Sequence, residues 1–183
     1  MANQNIAFLT ANDGIEQVEL TSPWKAVKEA GYEPHLIAIQ SGTVQGRDGL
    51  DRQDTFDADK TLDQANPKDY LALVLPGGVA NPDTLRAEKK ALKFVQDMLH
   101  DEKVVAAICH APWTLAEADV IKGRQLTSVH NIKTDLINAG GEWKDKDVVV
   151  CKGGPGILIT SRTPDDLEIF NKTLLDYLKN KKD

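Results

Sequence analysis

The amino-acid sequence predicts an α/β fold in which helices cover both faces of a mostly parallel β-sheet. Short apolar runs alternate along the chain with longer amphipathic segments, which is the order that βαβ units produce. The apolar runs, such as residues 71–75 (LALVL), also lack the alternation of apolar and polar residues that a sheet with one exposed face shows. The length of 183 residues suits one domain and no internal repeat or linker divides it, so we expect a single domain over residues 1–183.

The first half of the chain contains the first three predicted strands. They are residues 5–10, 35–40 and 71–75. Turn-forming residues 11–14 end the first strand, and a helix follows that Gly31 stops, with a break expected near Pro23. Residues 41–60 are rich in Gly, Asp and Gln, which predicts a small β-hairpin or an irregular arm outside the main sheet. Residues 76–78 (PGG) close the third strand.

The second half of the chain continues the alternation of helices and strands. The predicted helices are residues 82–101, a helix that begins at Pro112, residues 132–139, and a last helix from Thr163 to Lys179. The predicted strands are residues 104–108, 126–128, 147–151 and 157–161. Thr163 and Pro164 supply the N-cap and the first position of the last helix. The glycine-rich residues 152–156 (KGGPG) lack the spacing of a phosphate-binding loop, so we interpret them as a hairpin connection.

The composition argues against several classes of function. Apolar residues make up 41% of the chain and charged residues 27%, which is typical of a protein with a buried core. The net charge of −6 and the pI of about 5.2 argue against binding to nucleic acids or to anionic membranes. The sequence has neither an apolar run of roughly 20 residues, the length of a membrane span, nor the features of a signal peptide.

The cysteine content predicts a reducing, cytoplasmic setting. The chain has two cysteines, Cys109 and Cys151, without the spacing of a disulfide framework. A disulfide between them is conceivable but has no supporting pattern. The sequence has no C-x-x-C pair, and we expect neither a metal site nor an organic cofactor.

The most informative segment is residues 103–120 (KVVAAICHAPWTLAEADV). An apolar strand, residues 104–108, runs directly into Cys109 and His110, and Pro112 stands where a helix begins. A thiol at such a strand-to-helix turn faces free backbone N–H groups and the positive end of the helix dipole, which favours the reactive thiolate. Cys109 is therefore the candidate nucleophile, and the alternative is a cysteine that only packs in the core.

Further candidates follow the ends of other predicted strands. If these strands are parallel, Glu16, Gly77, Gly78 and Cys109 converge at the edge where such sheets bind ligands. Glu16 could donate a hydrogen bond to the thiol, and Glu19 is the fallback. Glu19 lies about 300° around a helix from Glu16, so both carboxyls need not face the site. The glycine pair would let backbone N–H groups form an oxyanion hole with those of the elbow. The structural alternatives are an exposed carboxylate at a helix start and an ordinary turn.

Several motifs together resemble those of the DJ-1/PfpI superfamily, and more closely its PfpI/YhbO-type branch of bacterial and archaeal stress proteins. In chain order they are GIEQVEL, LVLPGG, AICHAPW, INAGGEW and LITSRTPDDLEIFN. The resemblance spans nearly the whole chain. It implies a flavodoxin-like three-layer α/β sandwich, related to class I glutamine amidotransferase domains.

The resemblance also implies roles for individual residues. It implies Cys109 as the nucleophile, His110 beside it and Glu16 as the carboxyl that touches the thiol. Asp83 matches an acidic residue that, in PfpI-like members, orients the histidine of a neighbouring subunit. We therefore expect self-association into a homodimer or a larger homo-oligomer, although Asp83 could equally be an ordinary residue of a first helical turn.

The chain departs from the family pattern in three places. Ala111, which we expect to line the substrate site, stands where many members have glycine. The loop of residues 152–156 is longer than usual, and Cys151 stands in place of an aspartate. None of these departures touches the nucleophile.

The activities ascribed to the family are cysteine peptidase, cofactor-free glyoxalase, protein deglycase and chaperone. We favour a stress-protection enzyme acting on small reactive dicarbonyls or on modified proteins, because a thiolate adds readily to an aldehyde and Glu16 could move a proton between the two carbons. The peptidase alternative needs His110 to reach the thiol, and a histidine directly after the elbow cysteine is expected to point away. The third hypothesis is a non-enzymatic redox sensor or chaperone, in which Glu16 hydrogen-bonds to oxidised Cys109.

Overall fold

The computed structural model describes residues 4–180. The strands are β1 (Asn5–Thr10), β2 (Asp13–Glu16), β3 (Glu33–Ala38), β4 (Thr43–Asp48), β5 (Asp51–Asp57), β6 (Lys60–Thr61), β7 (Ala72–Leu75), β8 (Val104–Ile108), β9 (Gln125–Leu126), β10 (Glu142–Trp143), β11 (Val148–Cys151) and β12 (Ile157–Ser161). The helices are α1 (Gln17–Glu29), α2 (Ala80–Arg86), α3 (Lys89–His100), α4 (Pro112–Glu117), α5 (Lys133–Asn138) and α6 (Leu167–Lys179).

The main sheet is built around β7. Its strand order within residues 4–180 is β11-β12-β8-β7-β1-β3-β6, and every neighbouring pair is parallel except β11 with β12. The register sets Phe8 opposite Val74, and Leu75 opposite Ala107. The carboxyl ends of β1, β7 and β8 therefore meet at one edge, and the mostly parallel sheet predicted from the sequence is confirmed.

Helices cover both faces of this sheet. Successive strand residues point to opposite faces, so Ile6 and Phe8 of β1 pack in a core that contains Phe170 of α6. Leu9, on the other face, packs in a core that contains Met98 of α3. The three-layer α/β sandwich expected from the family resemblance is confirmed.

A smaller sheet forms an arm at the carboxyl edge. β2 pairs in parallel with β4, and β4 pairs antiparallel with β5, which confirms the predicted hairpin. Residues 13–16 were expected to be turn and first helical turn, but they form β2 because β4 offers them a pairing edge. A second small sheet joins β9 to β10.

Two predicted features of the helices are wrong. The single helix expected over residues 82–101 is two helices, α2 and α3, because Glu88 is extended (φ −95°, ψ 105°) and its side chain caps α3 by accepting from the Lys90 N–H at 3.2 Å. The break expected near Pro23 is absent, since α1 runs through this residue. A proline inside a helix removes one backbone hydrogen bond, and Pro23 is buried against the core.

The last helix begins later than predicted. Thr163 makes no capping hydrogen bond with its side chain, and a 3₁₀ turn at Pro164–Asp166 leads into α6. The connection at residues 152–156 joins two antiparallel strands, as predicted. Within residues 4–180, no helix is both long and apolar enough to cross a membrane.

Candidate active site

The carboxyl edge of the main sheet carries a cavity of about 670 Å³. Its lining includes Gly78 from the loop after β7, Cys109 and His110 from the turn after β8, and Glu16 from the end of β2. The structure thus brings the glycine pair and the elbow together, as the parallel strand order predicts.

Cys109 occupies a strained turn between β8 and α4. Its φ is +63°, in the left-handed region that costs a non-glycine residue about 1–2 kcal/mol. Two backbone hydrogen bonds hold this conformation: the Cys109 N–H donates to the Ser161 carbonyl at 3.2 Å, and the Cys109 carbonyl accepts from the Val129 N–H at 3.0 Å. The side chain is buried with 9% exposure, and it still reaches the cavity.

Glu19 of α1 is the carboxyl that faces the Cys109 side chain. It is fully buried, and its Oε2 accepts a hydrogen bond from the Gly77 N–H at 2.7 Å. Its Oε1 has no hydrogen-bond partner among residues 4–180. A buried carboxyl with a free oxygen beside a thiol is an arrangement suited to proton transfer.

Glu19 and Cys109 titrate as a coupled pair. Burial, followed by the charge of Glu19, raises the pKa of the Cys109 thiol well above its ordinary value, although the N–H groups of His110 and Gly78 oppose this rise. Burial also raises the pKa of Glu19 to about 8. Because each group resists a second negative charge beside the first, the pair loses one proton near pH 8 and holds the other far above it.

This electrostatic environment differs from the one predicted from the sequence. The helix dipole was expected to favour the thiolate, but α4 has only 6 residues and the nearby carboxyl opposes ionisation. The single negative charge of the pair therefore lies mainly on the carboxylate of Glu19, while the thiol of Cys109 keeps its proton.

His110 contacts the thiol directly, which contradicts the expectation that it points away. Its Nδ1 lies 3.2 Å from Sγ of Cys109, and its ring packs against Trp113 with 5.3 Å between the ring centroids. The left-handed conformation of Cys109 turns the two adjacent side chains toward each other. Burial lowers the pKa of His110, so the imidazole is neutral at physiological pH.

Glu16 does not contact the thiol, so this part of the sequence-based prediction is wrong. Its Oε2 accepts a hydrogen bond from the Gly49 N–H of the hairpin at 3.1 Å, and its side chain lines the cavity. Glu16 ends strand β2, whereas α1 begins only at Gln17, so Glu16 and Glu19 do not share a helix. The charge of Glu16 adds to the burial that raises the pKa of Glu19.

The glycine pair allows the loop after β7 to pass close to the elbow. A Cβ on Gly77 would overlap Oε2 of Glu19 and lie 2.8 Å from Cβ of Cys109, so no larger residue fits. Gly78 has a φ of +82°, and its N–H faces Sγ of Cys109. The backbone on this side of the thiol therefore consists of inward-facing N–H donors, as an oxyanion hole requires.

Asn81 braces this loop and was missed in the sequence. It is fully buried, its Oδ1 accepts from the Ala11 N–H at 2.7 Å, and its Nδ2 donates to the carbonyls of Pro76 at 2.9 Å and Gly77 at 3.1 Å. The side chain thus ties the end of β1 to the loop after β7. Because its partners are far away in the sequence, no local pattern indicates this role.

Two other predicted site residues, Asp83 and Ala111, are not among the residues that line the cavity. Asp83 is exposed in the first turn of α2, and its side chain has no hydrogen bond or ion pair among residues 4–180. Ala111 is 1% exposed and packs in the core rather than lining the cavity, so its expected place at the substrate site is wrong.

The hairpin arm forms the outer wall of the cavity. Arg47 of β4 binds Asp13 of β2 through two hydrogen bonds, of 2.7 Å and 2.8 Å, and lowers the pKa of that carboxyl. Arg47 also donates to the carbonyl of Leu50 at 3.0 Å, which holds the tip of the hairpin. The sequence analysis placed this arm outside the main sheet but did not assign it to the site.

Helical spacing could have identified Glu19. It lies four and eight residues before Pro23 and Val27, and all three residues are buried on one face of α1. A carboxyl on the apolar face of a helix is a signal of function. Among residues 4–180, no group of three or more His, Cys, Asp and Glu side chains could hold a metal ion.

Comparison with known proteins agrees with this geometry. The model of the DJ-1/PfpI family matches residues 4–177. The chain is 44% identical over 177 residues to "Protein/nucleic acid deglycase 2" of Escherichia coli, covering 96% of this chain and 98% of that one. It is 40% identical over 178 residues to "Putative cysteine protease YraA" of Bacillus subtilis, covering 97% and 99%.

A solved structure extends the likeness to the fold. A two-domain protein from Anabaena variabilis, with DJ-1/ThiJ/PfpI-like and ferritin-like domains, matches with a TM-score of 0.88 and 34% identity. The match covers 96% of this chain and 48% of that one. The chain belongs to the DJ-1/PfpI family.

Proposed function

We propose that this chain is a cysteine-dependent stress-protection enzyme that acts on reactive dicarbonyls or on their early adducts with proteins. The observation that carries the proposal is the buried pair of Cys109 and Glu19, with the thiol open to a cavity of about 670 Å³. The pair combines a nucleophile with a group that can move a proton. The name of the relative "Protein/nucleic acid deglycase 2" supports this substrate class.

The first step is addition of the Cys109 sulfur to an aldehyde carbon, with the carboxylate of Glu19 taking the thiol proton. The C–S bond forms, the π electrons of the C=O bond move to oxygen, and this oxygen takes the proton back from Glu19 to give a hemithioacetal. The N–H groups of Gly78 and His110, which face Sγ, donate to the oxygen while it carries charge. For an α-ketoaldehyde, the carboxylate of Glu19 then takes the proton from this carbon, the electrons of the C–H bond form a C=C bond to the neighbouring carbon, and the ketone oxygen takes a proton from solvent. Glu19 returns its proton to the neighbouring carbon, while the hydroxyl on the first carbon releases its proton to solvent and becomes the thioester carbonyl. Water hydrolyses the thioester, which releases a hydroxy acid and the thiol.

Substitution of the pair tests this proposal. Cys109→Ala and Glu19→Gln should each lower the rate of methylglyoxal consumption by about 100-fold or more, the usual range for removing a nucleophile or a general acid–base group. Glu29→Gln, which removes an exposed carboxylate from the same helix, is the matched control. Full activity in Cys109→Ala would refute the proposal, and a larger loss in Glu16→Gln than in Glu19→Gln would overturn the role of Glu19.

A second arm of the experiment separates free dicarbonyls from adducts. A peptide with a preformed methylglyoxal adduct is purified away from the free dicarbonyl and then incubated with the protein. Recovery of the unmodified peptide, dependent on Cys109, indicates a deglycase. Consumption of free methylglyoxal without peptide recovery indicates a glyoxalase.

A cysteine peptidase is the second candidate function, and the contact of 3.2 Å between Sγ of Cys109 and Nδ1 of His110 favours it. A neutral imidazole at this distance can accept the thiol proton, as in thiol–imidazole peptidases. The name "Putative cysteine protease YraA" of one relative points the same way. This candidate predicts cleavage of an unfolded protein that is lost in both Cys109→Ala and His110→Ala. Intact substrate after incubation with the assembled protein would eliminate it.

We also propose that the chain works as a homo-oligomer in which Asp83 of one subunit approaches His110 of another. Asp83 is exposed and unpartnered among residues 4–180, and Val79, which lines the cavity, is 57% exposed. Light scattering of the wild type should give a mass of at least two chains. A monomer with full activity would refute the shared site.

A cytoplasmic location completes the proposal. Both Cys109 and Cys151 are free thiols, which suits a reducing compartment. Fractionation of cells that express the tagged chain tests this location, and recovery outside the cytoplasmic fraction would contradict it.

A further inference from the structure

The segment of residues 161–171 (SRTPDDLEIFN) connects to both members of the buried pair. It leads from the end of β12 into α6. At its start, the Ser161 carbonyl accepts the hydrogen bond from the Cys109 N–H at 3.2 Å, which helps to hold the left-handed turn at the thiol. Its other end contacts α1, the helix that carries Glu19.

Arg162 fixes the start of this segment. Its backbone N–H and its Nε each donate to Oδ2 of Asp166 at 3.0 Å, and its Nη2 donates to Oδ1 of the same carboxylate at 3.0 Å. Burial opposes ionisation of Asp166, but the guanidinium of Arg162 outweighs it and lowers the pKa of this carboxyl. Two further hydrogen bonds, of 2.9 Å and 2.6 Å, join Arg162 to Asp145 and Asp147. Because Asp166 directly precedes α6, these contacts fix where that helix begins relative to β12.

Asn171 joins α6 to α1. Its Nδ2 donates to Oγ of Ser22 at 2.8 Å, and the two residues are 149 positions apart in the sequence. Ser22 lies three residues after Glu19, and residues at this spacing are neighbours on one side of a helix. Asn171 therefore contacts α1 one turn away from the buried carboxyl.

The surroundings of Asn171 are otherwise apolar. Its neighbours in α6, Phe170 and Leu174, are fully buried in the core that also contains Leu20 of α1. The Oδ1 atom of Asn171 is buried and has no hydrogen-bond partner among residues 4–180. A buried polar atom without a partner lowers stability, and an apolar side chain would avoid this loss. An amide that is retained at such a position is expected to serve function rather than stability.

The position of Glu19 has little tolerance. Its Oε2 accepts a hydrogen bond from the Gly77 N–H at 2.7 Å, and a Cβ on Gly77 would overlap this oxygen. The placement of α1 then sets how the carboxyl meets Sγ of Cys109. Because a displacement of about 1 Å can lower the rate of a positioned reaction about 100-fold, the contacts that place α1 bear on catalysis.

We propose that Asn171 is a positioning residue that acts through Ser22. It keeps α1 in the place at which the carboxyl of Glu19 faces the thiol of Cys109. This role rests on the proposed function, in which Glu19 moves the proton, so its test includes a measurement that needs no turnover.

Asn171→Leu, a substitution of similar volume, tests this role by kinetics. It should lower kcat for methylglyoxal by about tenfold or more and change KM by less than about twofold, because Asn171 does not line the cavity. In a Glu19→Gln background the same substitution should have no further effect, because the group that it positions is gone. Asn138→Leu, at an exposed position of α5, is the matched control. An unchanged kcat, or an equal loss in both backgrounds, would overturn the proposal.

Alkylation of Cys109 by iodoacetamide, followed by peptide mass spectrometry, needs no turnover. Burial, followed by the charge of Glu19, raises the pKa of this thiol. At pH 9, Asn171→Leu should therefore speed alkylation by about tenfold for each unit by which the thiol pKa falls, and it should have no effect in Glu19→Gln. A gain of equal size in both backgrounds would indicate general loosening and refute the role. If the wild type consumes no methylglyoxal, the proposed function fails, and the alkylation rates still decide whether Asn171 positions Glu19.

Ser22→Ala removes the other end of the hydrogen bond and replaces Asn171→Leu if that variant does not fold. It should produce the same changes in kcat and in alkylation, and the double variant should be no slower than Asn171→Leu alone. Wild-type values of both rates in Ser22→Ala would contradict the link through Ser22.

Discussion

Glu19→Gln should make the folded protein more stable at neutral pH. The side chain is 0% exposed, and burial raises its pKa from 4.5 to about 8. A glutamine of similar shape can still accept the hydrogen bond from the Gly77 N–H. In the unfolded wild type, Glu19 loses its proton near pH 4.5, so folding at neutral pH must restore this proton to the buried site. The substitution removes that requirement.

The two pKa values set the size of the effect. Because the pKa of Glu19 is higher in the folded state than in the unfolded state, its contribution to stability is complete below the unfolded-state pKa of 4.5. This contribution is lost as the pH rises from 4.5 to about 8. Each pH unit inside this window corresponds to about 1.4 kcal/mol. Between pH 5 and pH 7, the wild type should therefore lose about 2.5 kcal/mol of unfolding free energy relative to Glu19→Gln.

Urea unfolding at pH 5, 6 and 7 measures this difference. Because all other titrating groups are shared, the difference between wild type and Glu19→Gln isolates the one carboxyl. Glu29→Gln is the control, since its carboxylate is exposed on the same helix and lies 3.8 Å from the ammonium of Lys25. A difference that stays constant from pH 5 to pH 7, or a Glu19→Gln protein that is less stable at pH 7, would refute the reasoning.

Three further predictions follow from the site. The kcat/KM for methylglyoxal should rise about tenfold per pH unit up to about pH 8 and then level off, because the pair with Glu19 must lose one proton to react. Gly77→Ala should destabilise the fold by about 1–3 kcal/mol through overpacking, as measured by urea unfolding. Gly153→Ala is the control, because a Cβ at this position meets only Sγ of Cys151, at 3.7 Å. Arg47→Met should raise KM by up to about tenfold, equivalent to about 1.4 kcal/mol, with kcat unchanged, because the hairpin wall loses its link to Asp13.

The main sheet could be predicted because its signal is local. The runs at residues 5–10, 104–108 and 157–161 are apolar and β-branched, and they match β1, β8 and β12 in the structure. Pro23 was misjudged because burial of α1 against the core overrides a local preference. β2 was missed because a strand of 4 residues has little signal of its own and depends on its pairing with β4.

The order of the strands predicted which residues lie near the site, but it did not predict the contacts between their side chains. Cys109 could be named as the candidate nucleophile because a thiol at the junction of a strand and a helix is visible in the sequence. The contact of His110 with the thiol was not, because it depends on the φ of +63° that Cys109 adopts under constraints from Ser161 and Val129. The sequence analysis preferred Glu16 to Glu19 because it placed the start of α1 too early.

The two cysteines differ in the unfavourable features that surround them. At Cys109, a left-handed backbone and a buried carboxyl both lower stability, and proteins retain such features where function requires them. Cys151 ends the regular strand β11, and its φ does not lie in the left-handed region. Of the two thiols, Cys109 therefore carries the backbone and electrostatic cost that is expected of a reacting group, and this contrast supports our proposal that Cys109 is the nucleophile.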